Sequence, residues 1–166
     1  SRPVLELGFD IRLDLRRVLI QLGEVRRVLE QLRQAETLAE KLSDDYRRGR
    51  VCAFMTNVHG QLGELDEPLA WGRRGLAIAR ALRSPELQIL TTTFLEMVHY
   101  YRGEYPRVIE LATKNLASVP ADQVFAHFGA TGPASVFDRH CLVMSLAQLG
   151  RFAEAAKYET EAIQLA

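Results

Sequence analysis

Leu62-Gly63-Glu64-Leu65-Asp66-Glu67-Pro68-Leu69-Ala70 is the stretch that decides the fold. Gly63 follows an apolar residue, and acids and a proline come at once after it. A glycine suits the place just past a helix C-terminus, where a left-handed backbone is costly for any residue with a Cβ. Glu64, Asp66 and Glu67 suit the first turn of a new helix, which favours negative charge. Pro68 fits the same turn, because a residue there has no N–H bond to lose. The stretch therefore predicts two helices joined by a tight turn.

The turn recurs as Leu22-Gly23-Glu24-Val25, Arg102-Gly103-Glu104-Tyr105 and Leu149-Gly150-Arg151-Phe152. Successive turn glycines are 40, 40 and 47 residues apart. A period in this range marks a helical repeat array. Two residues after each glycine comes a large apolar side chain (Val25, Leu65, Tyr105, Phe152). Twelve after it comes a small or short one (Ala35, Gly75, Asn115, Ala162), which lets paired helices approach closely.

First helices are predicted at 8–22, 44–62, 85–102 and 134–149, and second helices at 25–42, 66–82, 105–118 and 152–166. Ser84-Pro85 and Ser43-Asp44-Asp45 supply start signals. No alternating strand pattern of useful length is present. The expected fold is all-α: a right-handed α-α superhelix of about four antiparallel helix pairs. It forms a single domain over 1–166, with repeats at 8–42, 44–82, 85–118 and 134–166. Each pair cannot bury its apolar face alone, so neighbours must stack. The longer last interval falls in an inserted loop, 118–133, rich in Pro and Gly and carrying Val124, Phe125 and Phe128. Such a loop either folds back on its scaffold or forms a lip over a groove.

Bulk composition limits the function classes. The 166 residues are 48% apolar and 25% charged, with 21 basic side chains against 21 acidic ones. Neutrality removes the electrostatic footprint of a nucleic-acid binder and a polybasic membrane patch. No apolar run has membrane-spanning length, and Ser1-Arg2-Pro3-Val4 does not open a signal peptide. Cys52 and Cys141 lie in apolar helical patterns and read as reduced thiols of a cytoplasmic protein. The missing initiator Met and the helical pattern running into Ala166 read as a fragment of a larger protein.

Motifs for chemistry are absent. There is no phosphate-binding glycine loop, no H-E-x-x-H and no zinc-spaced cysteine pair. No catalytic residue, metal or cofactor is expected. His59 and His99 each lie four residues before a turn glycine. They read either as a metal-binding or pH-sensing pair, or as packing groups bonded to a neighbouring helix.

The turn residues, and the small or apolar residues after them, resemble the tetratricopeptide repeat, best in Leu149-Gly150-Arg151-Phe152-Ala153-Glu154-Ala155-Ala156 and in the 62–70 stretch. The period is about six residues longer than usual, which implies longer helices. A closer likeness is to the C-terminal repeats of bacterial regulators that join an adenylate/guanylate cyclase domain and a large ATPase domain to such repeats. It rests on Arg12-Leu13-Asp14-Leu15-Arg16, Leu22-Gly23-Glu24, Gly75-Leu76-Ala77-Ile78-Ala79-Arg80, and the Phe128-Gly129…Gly132-Pro133 loop leading to Leu146-Ala147-Gln148-Leu149-Gly150. The resemblance implies a sensor or scaffold segment of a signalling protein.

On the tetratricopeptide pattern, one stripe of each first helix lines a concave groove. That stripe holds Leu13, Arg17 and Gln21; Arg50, Asn57 and Gln61; Thr93, Met97, Tyr100 and Tyr101; and Phe137, His140 and Met144. Arg and Asn suit backbone or carboxylate recognition, while Tyr and Met supply adaptable apolar contacts. The expected function is a noncatalytic protein–protein interaction module. Its partner would be a protein or peptide segment, or another domain of the same chain. The alternatives are a sensor of a small ligand or peptide, with the groove closed by the 118–133 loop, and a self-association scaffold; the oligomeric state is left open.

Overall fold

The computed structural model describes residues 1–165, and among these the regular structure is entirely helical. Eight α-helices follow in order: α1 (Arg2–Gln21), α2 (Val25–Leu42), α3 (Asp45–Gln61), α4 (Glu67–Ala81), α5 (Pro85–Tyr101), α6 (Tyr105–Ser118), α7 (Ala134–Gln148) and α8 (Phe152–Leu165). A short 3-10 turn at Ala121–Gln123 interrupts the long connection between α6 and α7. The predicted boundaries differ seriously in one place. Helix α1 starts at Arg2 rather than at residue 8, because Pro3 sits in the first turn, where its missing N–H costs nothing.

The four glycine turns share one hydrogen-bonding scheme. After α3, Glu64 N donates to His59 O at 3.1 Å and Gly63 N donates to Gly60 O at 3.1 Å. The same pair of bonds closes α1, α5 and α7, and the glycine φ angles run from 73° to 79°. These are Schellman caps, and they satisfy carbonyls that a helix end otherwise leaves open. Helices α2 and α4 close in the same way without glycine, through Ser43 and Arg83, each at φ 51°. A Cβ at Gly63 would meet no atom within 4 Å, so substitution there acts through the backbone alone. Gly63→Ala is expected to cost about 1 kcal/mol, and Arg83→Gly to stabilise by about half that, in paired urea titrations.

Start signals act where the sequence placed them. The Asp44 carboxylate accepts from Arg47 N at 2.9 Å, and Ser84 Oγ accepts from Leu87 N at 3.3 Å. Each α-helix packs on its neighbours in the chain; in addition α3 packs on α5, and α5 on α7. The backbones of α1 and α2 do not approach those of α7 and α8. This order of contacts explains the burial pattern. Helices α3 and α5, flanked on several sides, are buried through most of their length. Helix α1 instead leaves Val4, Leu7, Ile11, Leu15 and Val18 exposed, and Leu22 at its C-cap is exposed as well.

One core runs from α1 to α5 around Phe9, Leu32, Phe54 and Leu90, and a smaller one joins α6, α7 and α8 around Leu142 and Leu146. The small positions do what spacing required of them. A Cβ on Gly75 would lie 3.1 Å from Thr91 and 3.3 Å from Cys52. Trp71 and Tyr158 pack against the two cores.

Candidate functional site

The odd-numbered helices converge on one cavity of about 160 Å³. Arg16 and Ile20 come from α1, and Asn57 and Gln61 from α3. Helix α5 gives Thr93, Phe94, Met97 and Tyr101, and α7 gives Phe137 and Cys141, with Thr131 of the long connection completing the wall. Repeat spacing explains the meeting. Asn57 and Met97 both stand six residues before a turn glycine, and Gln61 and Tyr101 both stand two before it. Gln61 and Tyr101 also border an open depression with Val25, Gly60, Gly63 and Leu65. The volume is roughly that of five water molecules, enough for one side chain or a small organic molecule but not for a folded segment.

Five of the eleven site residues expected from the sequence therefore meet here: Asn57, Gln61, Thr93, Met97 and Tyr101. Phe137, of the same stripe, joins them, whereas Leu13 is buried in the core. The other six lie elsewhere. Arg17 and Gln21 border a shallow depression on α1 with Asp14 and Val18. Arg50 sits beside Gly129, with its Nη2 3.5 Å from where a Cβ on that glycine would stand. The Tyr100 hydroxyl accepts from Gln148 Nε2 at 3.4 Å, and its ring packs on Tyr105. His140 is exposed at a cleft between α7 and α8, beside Val136, Val143 and Ile163. Met144 is half-buried on α7 outside the cavity.

His59 and His99 do not form a joint site. Each ring bonds through Nδ1 to the glutamate of its own turn, Glu64 and Glu104 respectively, the second at 2.5 Å. His59 also stacks on Trp71. Among the described residues, no group of three or more His, Cys, Asp or Glu side chains is placed to hold a metal ion.

Two buried charged groups flank the cavity, and periodicity did not reveal either. Arg16 is 2% exposed; its guanidinium lies 3.7 Å over the Phe54 ring and donates to Gly129 O at 3.0 Å. Its Nε is buried with no partner. Burial, then the neighbouring Arg50 and Arg17, lower its pKa to about 10. Gly129 is pressed against Phe54, Phe128 packs on the core and Ala130 is buried in it. The connection thus folds onto its scaffold, and its Thr131 also borders the cavity.

The second group lies behind Thr93 and Cys141. Glu96 is fully buried; the groups within hydrogen-bonding reach of its carboxyl are the Asp138 carboxyl and the Cys141 thiol, and no other donor meets it among the described residues. Burial, and then the nearby Asp138 carboxylate, push its pKa well above the usual range. Asp138 accepts from Thr93 Oγ1 at 2.8 Å and from Asn115 Nδ2 at 3.1 Å. Burial raises Asp138 to about 7 against the pull of these donors. Burial also pushes the Cys141 thiol up and raises Cys52 to about 11, so both free cysteines stay protonated and unreactive at neutral pH.

No helix among the described residues is long and apolar enough to cross a membrane. No protein-family model matches the chain, and no curated protein matches it. The cavity offers amide groups, a buried cation, and apolar walls from Phe94, Met97, Tyr101 and Phe137.

Proposed function

We propose that the chain is a noncatalytic tetratricopeptide-like interaction module, with four antiparallel helix pairs stacked into a right-handed superhelix. In this reading the odd helices border a trough that takes a protein or peptide segment. The module serves as a cytoplasmic regulatory or scaffold part of a bacterial signalling protein of the cyclase- or ATPase-linked kind. The observation that carries the reading is the convergence of Asn57, Gln61, Met97 and Tyr101 from equivalent positions on one cavity, with Gln61 and Tyr101 also bordering the depression beside Val25 and Leu65. A peptide crossing Gln61 and Tyr101 can place one anchor in each compartment.

The test is selection of displayed peptides on the intact chain, followed by affinity measurement. Tyr101→Ala and Asn57→Ala are expected to weaken the selected peptides by about tenfold each, roughly 1.4 kcal/mol. Arg73→Ala, on the exposed face of α4, is expected to leave them unchanged. If nothing enriches, or if the trough variants bind as well as the parent, the reading fails.

The exposed face of α1 favours self-association as a second reading. Val4, Leu7, Ile11, Leu15, Val18 and Leu22 form a continuous apolar stripe along the helix. From Val4 to Val18 the spacing matches its own reverse: an antiparallel two-fold pairing about Ile11 sets Leu7 opposite Leu15 and Val4 opposite Val18, with Arg12 opposite Asp10. Such self-complementarity is what an isologous dimer requires. Light scattering over a concentration series is expected to show a dimer that Ile11→Glu abolishes. A monomer at every concentration rules it out.

A further inference from the structure

The apolar stripe of α1 stands in a register that the later odd helices bury. Leu7, Ile11, Leu15 and Val18 lie 16, 12, 8 and 5 residues before Gly23. The same offsets from Gly103 give Leu87, Thr91, Leu95 and Val98 of α5, and all four are buried. So are their counterparts in α7, Ala134, Asp138, Leu142 and Ser145, and so are Val51, Met55 and Val58 of α3. What covers the α5 stripe is the preceding pair. A Cβ on Gly49 of α3 would collide with Leu87, and one on Gly60 would stand 3.2 Å from Val98. Gly72 and Gly75 of α4 lie under Leu95 and Thr91. The other junctions keep this register: the Arg47 guanidinium of α3 lies over the Phe9 ring of α1, and Asp138 of α7 accepts from Asn115 of α6. On α1 the stripe is bare, with Leu7 61% and Val18 58% exposed.

The matching receiving surface is bare on the last pair. Gly49, Gly72 and Gly75 stand 14 before, 9 after and 12 after their turn glycine, and the same offsets from Gly150 give Val136 of α7 and Glu159 and Ala162 of α8. These three line a cleft of about 460 Å³, together with His140, Val143 and Ile163. Among the described residues α8 packs on α7 alone, and Ile163 is 71% exposed. One surface is thus an odd-helix face without a pair before it, and the other is a pair without an odd helix after it.

We propose that a second copy of this chain fills the cleft: the α1 stripe of one copy seats between α7 and α8 of the next, head to tail, in the register that joins successive pairs within one chain. Leu7 then meets Val136, and Ile11 meets Ala162 and His140, as Asp138 meets Asn115 and Thr93. The proposal rests on the self-association reading and names a different mate for the stripe. Two-fold pairing of α1 covers one apolar face and leaves the cleft open, whereas the head-to-tail contact covers both. Such a heterologous contact leaves a free stripe and a free cleft on every dimer, so growth does not stop at two copies. Glu159 holds a position filled by Leu32, Gly72 and Ala112 in the other pairs, and its charge opposes tight seating of Leu15.

Light scattering over a concentration series tests this on the intact chain. The average mass is expected to rise past two copies. Ile11→Glu and Ile163→Glu, both at exposed positions, are each expected to give monomers. An equimolar mixture of the two is expected to form a dimer that grows no further, because each variant supplies the face that the other lacks. That recovery also shows that both variants are folded. Glu159→Ala is expected to lower the concentration for half-association by about threefold or more. A species that stops at two copies and ignores Ile163→Glu overturns the head-to-tail contact and leaves the two-fold pairing standing. A monomer at every concentration overturns both and leaves the trough reading untouched. A mixture of the two variants that stays monomeric also overturns the proposal.

Discussion

Phe54→Ala is expected to be the most damaging single truncation in this chain, with a loss of about 3–5 kcal/mol. Phe54 is 1% exposed and sits where three layers meet. Arg16 of α1 covers one face of its ring, Phe94 of α5 packs 5.9 Å away centroid to centroid, and Gly129 of the long connection presses on its edge. Removing the ring opens a cavity and strips Arg16 of its cation–π partner. For a domain of this size the loss corresponds to a fall in melting temperature of about 10 °C. Phe54→Leu keeps most of the volume and is expected to cost less than half as much. The consequence is also local. The amide of Ala130, which donates to His127 O at 2.8 Å, is expected to lose hydrogen-exchange protection in Phe54→Ala before the amides of α5 do. Uniform loss of protection, or a stability change below about 1 kcal/mol, contradicts this account.

The helices were legible because their signals are local. A glycine at positive φ, a serine or aspartate cap and an early proline each act within a few residues, and each occurs where the chain turns. Pro3 has the same meaning as Pro68 and Pro85, and Ser1 stands at the cap as Ser84 does, so the start of α1 carried a local signal that the reading from residue 8 did not use. That some of the stripe residues line one cavity was legible for a different reason. Positions six and two before the turn glycine recur with the repeat, and the central repeats supply Asn57, Gln61, Met97 and Tyr101. Their counterparts in the first repeat, Arg17 and Gln21, lie on α1, where no earlier helix stands opposite. Spacing gives the face of a helix but not the neighbour that faces it.

The buried charges show where that limit falls. Arg16 and Glu96 both stand seven residues before a turn glycine, a position that holds Thr56 and Val143 in the other two repeats. A charge in a slot otherwise filled by Thr and Val is a signal, but the sequence does not say what compensates it. Asn115 gives a similar sign. It occupies the slot of Ala35, Gly75 and Ala162, and its amide bonds Ile89 O, Thr93 Oγ1 and Asp138 Oδ2. A polar residue at a close-packing position points to polar groups across the interface, and Thr93 and Asp138 lie there, with Glu96 beside Asp138.

That cluster makes stability depend on pH in the direction opposite to an ordinary surface carboxylate. Unfolded Glu96 and Asp138 release their protons near 4.5 and 3.8, while in the folded protein Asp138 holds on to about 7 and Glu96 holds on well above its usual range. Between those limits the folded state binds more protons than the unfolded one, so stability falls as pH rises. The groups facing the pair are Cys141, whose thiol stays protonated, Thr93 and Asn115, which do not titrate here, and Arg139, which favours the Asp138 anion. Exposed ion pairs such as Glu110 with Arg107 and Lys114 act in the opposite sense, but only below the ordinary carboxylate range. Urea denaturation at about pH 5 and about pH 8 is therefore expected to find the protein less stable at the higher pH by about 2 kcal/mol. Glu96→Gln supplies an amide N–H in place of the carboxylic O–H and cannot ionise; it is expected to flatten the dependence and to gain about 1–3 kcal/mol at the higher pH. Asp138→Asn is expected to do the reverse, losing about 1–3 kcal/mol at both values, because the new amide turns a donor toward the Thr93 hydroxyl or the Asn115 amide. A wild-type protein equally stable at both values, or a Glu96→Gln variant weakened at both, would show that the buried pair does not share a proton in the folded state.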